Sequence, residues 1–488
     1  MVKSLIQSLL LFALLSFYSC SEKREKPNIL FIFADDQCFN TIHALGNEEV
    51  ITPALDKLVD EGLTFTHAYN MGAWHGAVCV ASRTMLNTGY SVWRAMRNEK
   101  NLERLASERK LWSQLMEDAG YETYFSGKWH VKLSPDSIFN HVVHERPGMP
   151  PGTQEGYNRP IEGKKDVWSP YDKKFGGHWK GGKHWSEVLA DDAVNYIQQA
   201  SKRDKPFFMY FAFNAPHDPR QSPKKYVDMY PWKEVALPEN FLPEYPYKDV
   251  MGCSKNLRDE KLAPFPRTEY AVKVNRQEYY AIISHMDAQI ARILDALEKS
   301  GKKDNTYIIF TADHGLACGQ HGLMGKQSMY DHSVRPPLII VGPDIPAKKR
   351  IDLDVYMQDI MATSLDLAGI PKPEYVEFNS LMPFVEGYEH EGNIPAVYGG
   401  YMNLQRMIRS DGYKLILYPG DSVVLLYDLI NDHLEKNDLS GDEDYKDIKE
   451  KLFNKLLEMQ IELDDRLELK EIYPELVCDC GEDLEAEM

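Results

Sequence analysis

Four short runs along the chain are apolar throughout: Ile29 to Phe33, Phe207 to Phe213, Tyr307 to Phe310 and Leu338 to Val341. Runs of this length without a polar face read as strands buried on both sides of a sheet. Three of them end in polar residues: Asp35-Asp36, Asn214-Ala215-Pro216-His217 and Asp313-His314-Gly315. Helical periods lie between the runs. Thr52-Pro53 opens one with a cap and a proline in the first turn. Residues 275–299 set Ile282, Ile283, Met286, Ile290, Ile293 and Leu294 along one side of another. The alternation predicts an α/β fold with a large mixed, mostly parallel sheet flanked by helices. In such sheets chemistry gathers beyond the carboxyl ends of the strands.

After about residue 380 the pattern changes. Met407 to Leu417 reads as a hairpin turning on Asp411-Gly412, Val423 to Leu429 as another strand, and residues 444–468 as an amphipathic helix. A small C-terminal antiparallel sheet with one helix is expected there. The organisation expected is therefore an N-terminal domain over 27–380, an α+β subdomain over 381–470 and an acidic tail over 471–488. Residues 135–185 are rich in Gly, Pro and aromatics and read as a long loop region bordering the site.

Composition changes this picture little. The 488 residues are 43% apolar and 27% charged, ordinary globular values. The formal net charge of −18 is concentrated in residues 431–488, which hold 20 acidic and 7 basic side chains. A negative surface of this kind argues against nucleic acid as a partner. It leaves an anionic small substrate open, because a pocket's local field can differ in sign from the total. The first 20 residues read as a signal peptide, with Lys3 as the positive start and Leu9 to Phe17 as the apolar stretch. Phe17-Tyr18-Ser19-Cys20 resembles a bacterial lipoprotein signal in which Cys20 becomes lipidated; plain secretion is the alternative. The expected location is the periplasm or the outer membrane of a Gram-negative bacterium, with a lipid anchor. Of seven cysteines, those beyond Cys20 are too few and scattered for a disulfide framework.

The candidate chemistry sits at the strand ends. Asp35, Asp36 and Asp313 offer hard oxygen ligands of the kind that suit Ca²⁺ or Mg²⁺, and His314 is a softer addition. Arg83, Lys128, His130, His217 and Lys326 supply the cations and proton carriers that a tetrahedral oxyanion needs. Cys79 has Arg83 one helical turn on. As a plain residue it is either an activated thiolate or a small buried hydrophobe.

At this point the motifs resemble a known family. Cys79-Val80-Ala81-Ser82-Arg83 is similar to the Cys-x-Pro/Ala-Ser-Arg signature of the type I, formylglycine-dependent sulfatases, in the alkaline-phosphatase-like superfamily. Asp35-Asp36, Gly127-Lys128-Trp129-His130, Ala215-Pro216-His217, Asp313-His314-Gly315 and Gly325-Lys326 follow in family order between Pro27 and about Asp465. The Arg335-Pro336-Pro337-Leu338 segment and the Asp411 hairpin also resemble family segments. The resemblance implies that Cys79 is oxidised to formylglycine by a maturase and hydrated to a gem-diol. It implies one Ca²⁺ held by Asp35, Asp36, Asp313, His314 and the group at 79. Arg83, Lys128 and Lys326 then balance charge on the sulfate, His217 protonates the departing alcohol, and His130 takes a proton so that sulfate is expelled.

Two departures qualify the carry-over. Ala81 stands where Pro is commonest, a form similar to substrates of the anaerobic, radical-type maturase. His314 stands where many members have Asn; histidine at this place resembles the iduronate-sulfatase branch. The expected substrate is a carbohydrate sulfate on a sulfated oligosaccharide, from a glycosaminoglycan or another glycan, with uronate 2-O-sulfate as one candidate and a bacterial exo-acting role. Trp74, His75, His178 and His184 are the expected substrate contacts. A phosphomonoester or phosphonate hydrolase of the same superfamily, and a catalytically dead glycan-binding homologue, are the competing readings.

Overall fold

The computed structural model describes residues 25–388, 392 and 394–477. The expected signal segment with Cys20, the cysteines Cys478 and Cys480 and the end of the acidic tail lie outside the described residues. Thirteen strands are described. They are β1 (Asn28–Ala34), β2 (Leu63–Tyr69), β3 (Gly72–Ala73), β4 (Glu122–Lys128), β5 (His141–Arg146), β6 (Phe207–Ala212) and β7 (Thr306–Ala312). The rest are β8 (Leu338–Val341), β9 (Lys349–Tyr356), β10 (Val397–Tyr401), β11 (Gln405–Ser410), β12 (Tyr413–Tyr418) and β13 (Val423–Asp428).

Eight strands form the large sheet in the order β5-β4-β6-β1-β7-β8-β2-β9. Only β8 runs against its neighbours. The sheet is therefore mixed and mostly parallel, as the apolar runs predict. β1 shows why. Ile29, Phe31 and Phe33 point into one core with Trp112, Met116 and Ile360, while Leu30 and Ile32 point into another with Leu189, Ile282 and Ile290. Side chains alternate between faces, and helices cover both, so every position from Ile29 to Ala34 is apolar, and the one polar residue, Asn28, is hydrogen-bonded at the strand's start.

The long helix, Glu269–Lys299, begins six residues before the expected start, where Thr268 caps it by accepting from Ala271 N–H at 3.1 Å. Thr52 does not cap the helix Pro53–Glu61 as its position suggested. Its hydroxyl is engaged with His43 N–H and Asp56. Asp287, from the long helix, accepts from Ala54 and Leu55 N–H at 3.1 and 2.8 Å instead. The 135–185 region is not wholly a loop either, since β5 pairs with β4 at the sheet edge.

The second sheet has the order β13-β12-β11-β10-β3. β10 to β13 are antiparallel, and Asp411 and Gly412 turn the β11–β12 hairpin with φ of 53° and 79°. Two positive φ values in succession are what a twisted two-residue hairpin turn demands. The helix Lys446–Glu462 packs on β11 and β12. β3 comes from far upstream and pairs parallel with β10. It leads directly into the helix Val78–Thr88. Among the described residues no helix is long and apolar enough to cross a membrane.

Candidate active site

Four neighbouring parallel strands, β4, β6, β1 and β7, end on the same side of the large sheet. β1 hands on Asp35 and Asp36, β7 hands on Asp313 and His314, β4 ends at Lys128, and the turn after β6 carries His217. The helix Val78–Thr88 brings Cys79 and Arg83 to the same point, and every residue of that helix is buried. Lys326 arrives from the loop after β7. Sequence separations of up to 290 residues are thus closed within a few ångströms.

Each carboxylate is paired with a cation, and Arg83 Nη2 also lies 4.0 Å from Asp35 Oδ1. The Lys128 ammonium bonds Asp35, Lys326 Nζ lies 2.8 and 2.7 Å from the two oxygens of Asp36, and Arg83 Nε lies 2.8 Å from Asp313 Oδ2. Lys326 Nζ also lies 2.9 Å from Cys79 Sγ, which is itself 3.3 Å from Asp35 Oδ1. His217 Nε2 stands 3.6 Å from Asp36 Oδ2. The backbone beneath is pinned. Asp36 N–H donates to Asp313 Oδ1 at 3.1 Å, the Tyr279 hydroxyl donates to Asp36 O at 2.7 Å, and Asp36 holds a φ of 65°.

Burial, with Asp313 and Cys79 beside it, pushes the Asp35 carboxyl well above the usual carboxylate range. Burial and then Asp313 also push the Cys79 thiol up, which works against a plain thiolate nucleophile. Burial, reinforced by Lys128, Arg83 and Lys326, pushes His130 down to about 2, so its ring is neutral. Burial likewise pushes His314 down to about 4.

Donor atoms of Asp35, Asp36, Cys79 and Asp313 lie within 4.8 Å of one another, a group able to hold a metal ion. His314 stands outside this set, yet its ring tests the fit. Its Nδ1 lies 2.9 Å from Gly315 O, an acceptor, so Nδ1 carries the hydrogen. Nε2 then bears a lone pair, and it is buried without a partner. Three hard carboxylates beside an idle imidazole nitrogen fit a divalent cation.

The expected substrate contacts divide. Trp74 and His75 are half-buried on the turn that leads to Cys79, and His75 is tied to Glu99 at 3.4 Å. His178 and His184 are fully buried, with rings stacked 5.0 Å apart, and cannot meet a substrate. Their ring nitrogens bond the carbonyls of His217 and Gln221 at 3.2 and 2.9 Å. These rings pack against Trp179, Trp185 and His285, a use that residue type alone does not reveal. Conversely, Asp218 against the His217 ring, Arg258 and Asp259 behind it, and Gln327 beside Lys326 carry no motif that marks them. Asp218 stood beside His217 in the sequence, but nothing marked the 251–262 loop.

A family model described as "Sulfatase" matches residues 27–370, and one described as "N-sulphoglucosamine sulphohydrolase, C-terminal" matches residues 319–462. The N-acetylglucosamine-6-O-sulfatase of Bacteroides thetaiotaomicron is 25% identical, over 93% of this chain and 90% of its own length. A solved structure of a protein in complex with its substrate D-glucosamine-2-N,6-O-disulfate superposes with a TM-score of 0.70 at 22% identity, covering 90% of this chain and 99% of the other. A phosphonate monoester hydrolase from Silicibacter pomeroyi superposes with a TM-score of 0.71 at 20% identity, covering 90% and 96%. At these identities the two superpositions speak for the fold alone.

Proposed function

We propose that this chain, which belongs to the sulfatase family, releases sulfate from a sulfated glycan and that Cys79 is the precursor of its nucleophile. Its class, sulfuric ester hydrolase, follows from the family. The observation that carries the rest is the position of Cys79. Its sulfur is buried, 2.9 Å from Lys326 Nζ, and ringed by the carboxylates of Asp35, Asp36 and Asp313. That is a poor place for a thiolate and a good one for a hydroxyl aimed by a cation.

A formylglycine at 79 supplies a hydrated aldehyde hydroxyl, and a divalent cation, calcium by the hardness of the donors, supplies positive charge beside it. Asp35, Asp36, Asp313 and His314 would hold the ion. The three carboxylates and Arg83, Lys128 and Lys326 already balance, so a bound dication leaves the pocket net positive, as an anionic ester requires. Lys128 and Lys326 meet sulfate oxygens in this reading. His217, through Nε2, protonates the leaving oxygen. His130, held neutral by burial and its cationic neighbours, accepts the proton whose loss from position 79 frees the sulfate.

The sugar ring is offered Trp74 and His75. Export, with Cys20 as a lipid-bearing residue, and maturation of Cys79 by a dedicated enzyme belong to the same reading. The test is a panel of defined saccharides carrying glucosamine 6-O-sulfate or uronate 2-O-sulfate, run beside matched phosphate and phosphonate esters. Preferential turnover of the phosphorus esters sinks the glycan-sulfate reading. Mass spectrometry of the Cys79 peptide checks the modification. Cys79→Ser should abolish multiple turnover, because a serine sulfate has no second hydroxyl to expel it.

A further inference from the structure

His217 is held from several sides. Its N–H donates to Asn214 O at 3.1 Å, and its own carbonyl accepts from His178 Nε2 at 3.2 Å. The backbone is thereby fixed, and what stays free is rotation of the ring. The ring is 2% exposed, and its Nδ1 lies 2.7 Å from the Asp218 carbonyl oxygen and 3.0 Å from Asp218 Oδ1. Both partners are acceptors, so Nδ1 bears a hydrogen and Nε2 faces Asp36 and the reacting group.

Asp218 is 5% exposed and is tethered in turn. Its Oδ1 lies 3.5 Å from Arg258, which also pairs with Asp259, and Asp259 Oδ2 accepts from Gln327 Nε2 at 2.7 Å. Gln327 adjoins Lys326. The chain from Gln327 through Asp259, Arg258 and Asp218 to His217 thus connects the Lys326 loop with the His217 ring. Burial opposes charge on Asp218, yet Arg258 and His217 hold its carboxyl well below the usual carboxylate range. The peptide carbonyl alone cannot follow the ring, whereas a charged carboxylate forms a hydrogen bond roughly twice as strong as a neutral one.

We propose that the Asp218 carboxylate is a positioning residue that orients the His217 imidazole, so that Nε2 points at the leaving oxygen. This rests on the sulfate-ester reading and on His217 as the proton donor. Asp218 acts in this proposal through the His217 ring.

Leaving-group dependence separates positioning from mere folding. The enzyme, produced with its maturase and normalised to converted Cys79, is assayed on 4-nitrophenyl sulfate, whose phenolate departs without a proton, and on phenyl sulfate, whose leaving oxygen is far more basic. For Asp218→Ala, kcat on 4-nitrophenyl sulfate should stay within about three-fold of native, while kcat on phenyl sulfate falls on the order of 10²-fold with KM little changed. Asp218→Asn, which keeps an acceptor at Oδ1 but a neutral one, should recover only part of that loss, staying about ten-fold down on phenyl sulfate alone, and it carries the test if the alanine variant does not fold. Equal loss on both esters, or loss on neither, overturns the proposal. His217→Ala, run in parallel, should show the same pattern more strongly. If it shows no leaving-group dependence, the reading of His217 as proton donor fails, and the role of Asp218 fails with it. Turnover of neither ester by native enzyme that cleaves phosphate esters counts against the sulfate reading itself.

Discussion

His130 shows how narrowly one residue is specified. Its backbone adopts a φ of 57°, and its ring presses so close to Gly148 that a Cβ there would sit 2.1 Å from Nε2. Nothing flexible can yield except the histidine. Gly148→Ala should therefore displace the ring and lower kcat on the order of ten-fold or more, since displacements of about 1 Å at a reacting centre cost that and more. Thermal melting should move little, because Gly148 lies in a surface loop. An unchanged kcat would remove His130 from the proton pathway. The sequence marked His130 through its place after Gly127-Lys128, but Gly148 looked like one more loop glycine. Only contact distinguishes it. The same holds for His178 and His184, whose residue type suggested ligands and whose burial makes them supports.

At the scale of the element, local chemistry was legible where it was strictly local. Asp411-Gly412 demanded a hairpin, and the positive φ pair is there. Gly412→Ala should cost about 1 kcal/mol of stability, seen in denaturant melts, with activity unchanged. The helix Pro53–Glu61 teaches the opposite lesson. Thr52 had the right type and place for a cap, but the job falls to Asp287, more than two hundred residues away. Asp287→Ala leaves two buried helical N–H groups without acceptors. It should lower stability by about 1–2 kcal/mol, whereas Thr52→Val should be mild. The reverse order of effects in a melt would restore the local cap. Likewise the eight strands announced themselves as apolar runs or alternations only in part. β5, half-exposed at the sheet edge, lacked the run that burial on both faces imposes.

At the scale of the whole molecule the two sheets are stitched by β3. Gly72 has a φ of 93°, and a Cβ there would meet Gly400 O at 2.1 Å. Since β3 also sets the start of the Cys79 helix, Gly72→Ala should lower the melting temperature and the activity together, a coupling that Gly412→Ala should not show. Acid should also act globally. Burial pushes His178 down to about 3 and His321 to about 4, against an ordinary 6.5. Below pH 6.5 the unfolded chain binds protons that the folded one refuses, so stability is fully present above that pH and is lost on the way to about 3–4. Melts between pH 7 and 4 should show the loss, reduced in His321→Gln; a flat profile would mean that these rings accept protons in place. The sequence by itself determined the fold class, because a strand buried on both faces is apolar almost throughout, and it pointed to Asp35, Asp36 and Asp313 as candidates, because polar residues stand there where apolar runs end. What it left open was the order of the strands and everything that acts through a neighbour. That β4, β6, β1 and β7 lie side by side, that β3 joins the second sheet, and that Asp218 reaches His217's ring all depend on packing between distant segments. Such packing is a property of the closed core, and no window of sequence contains it.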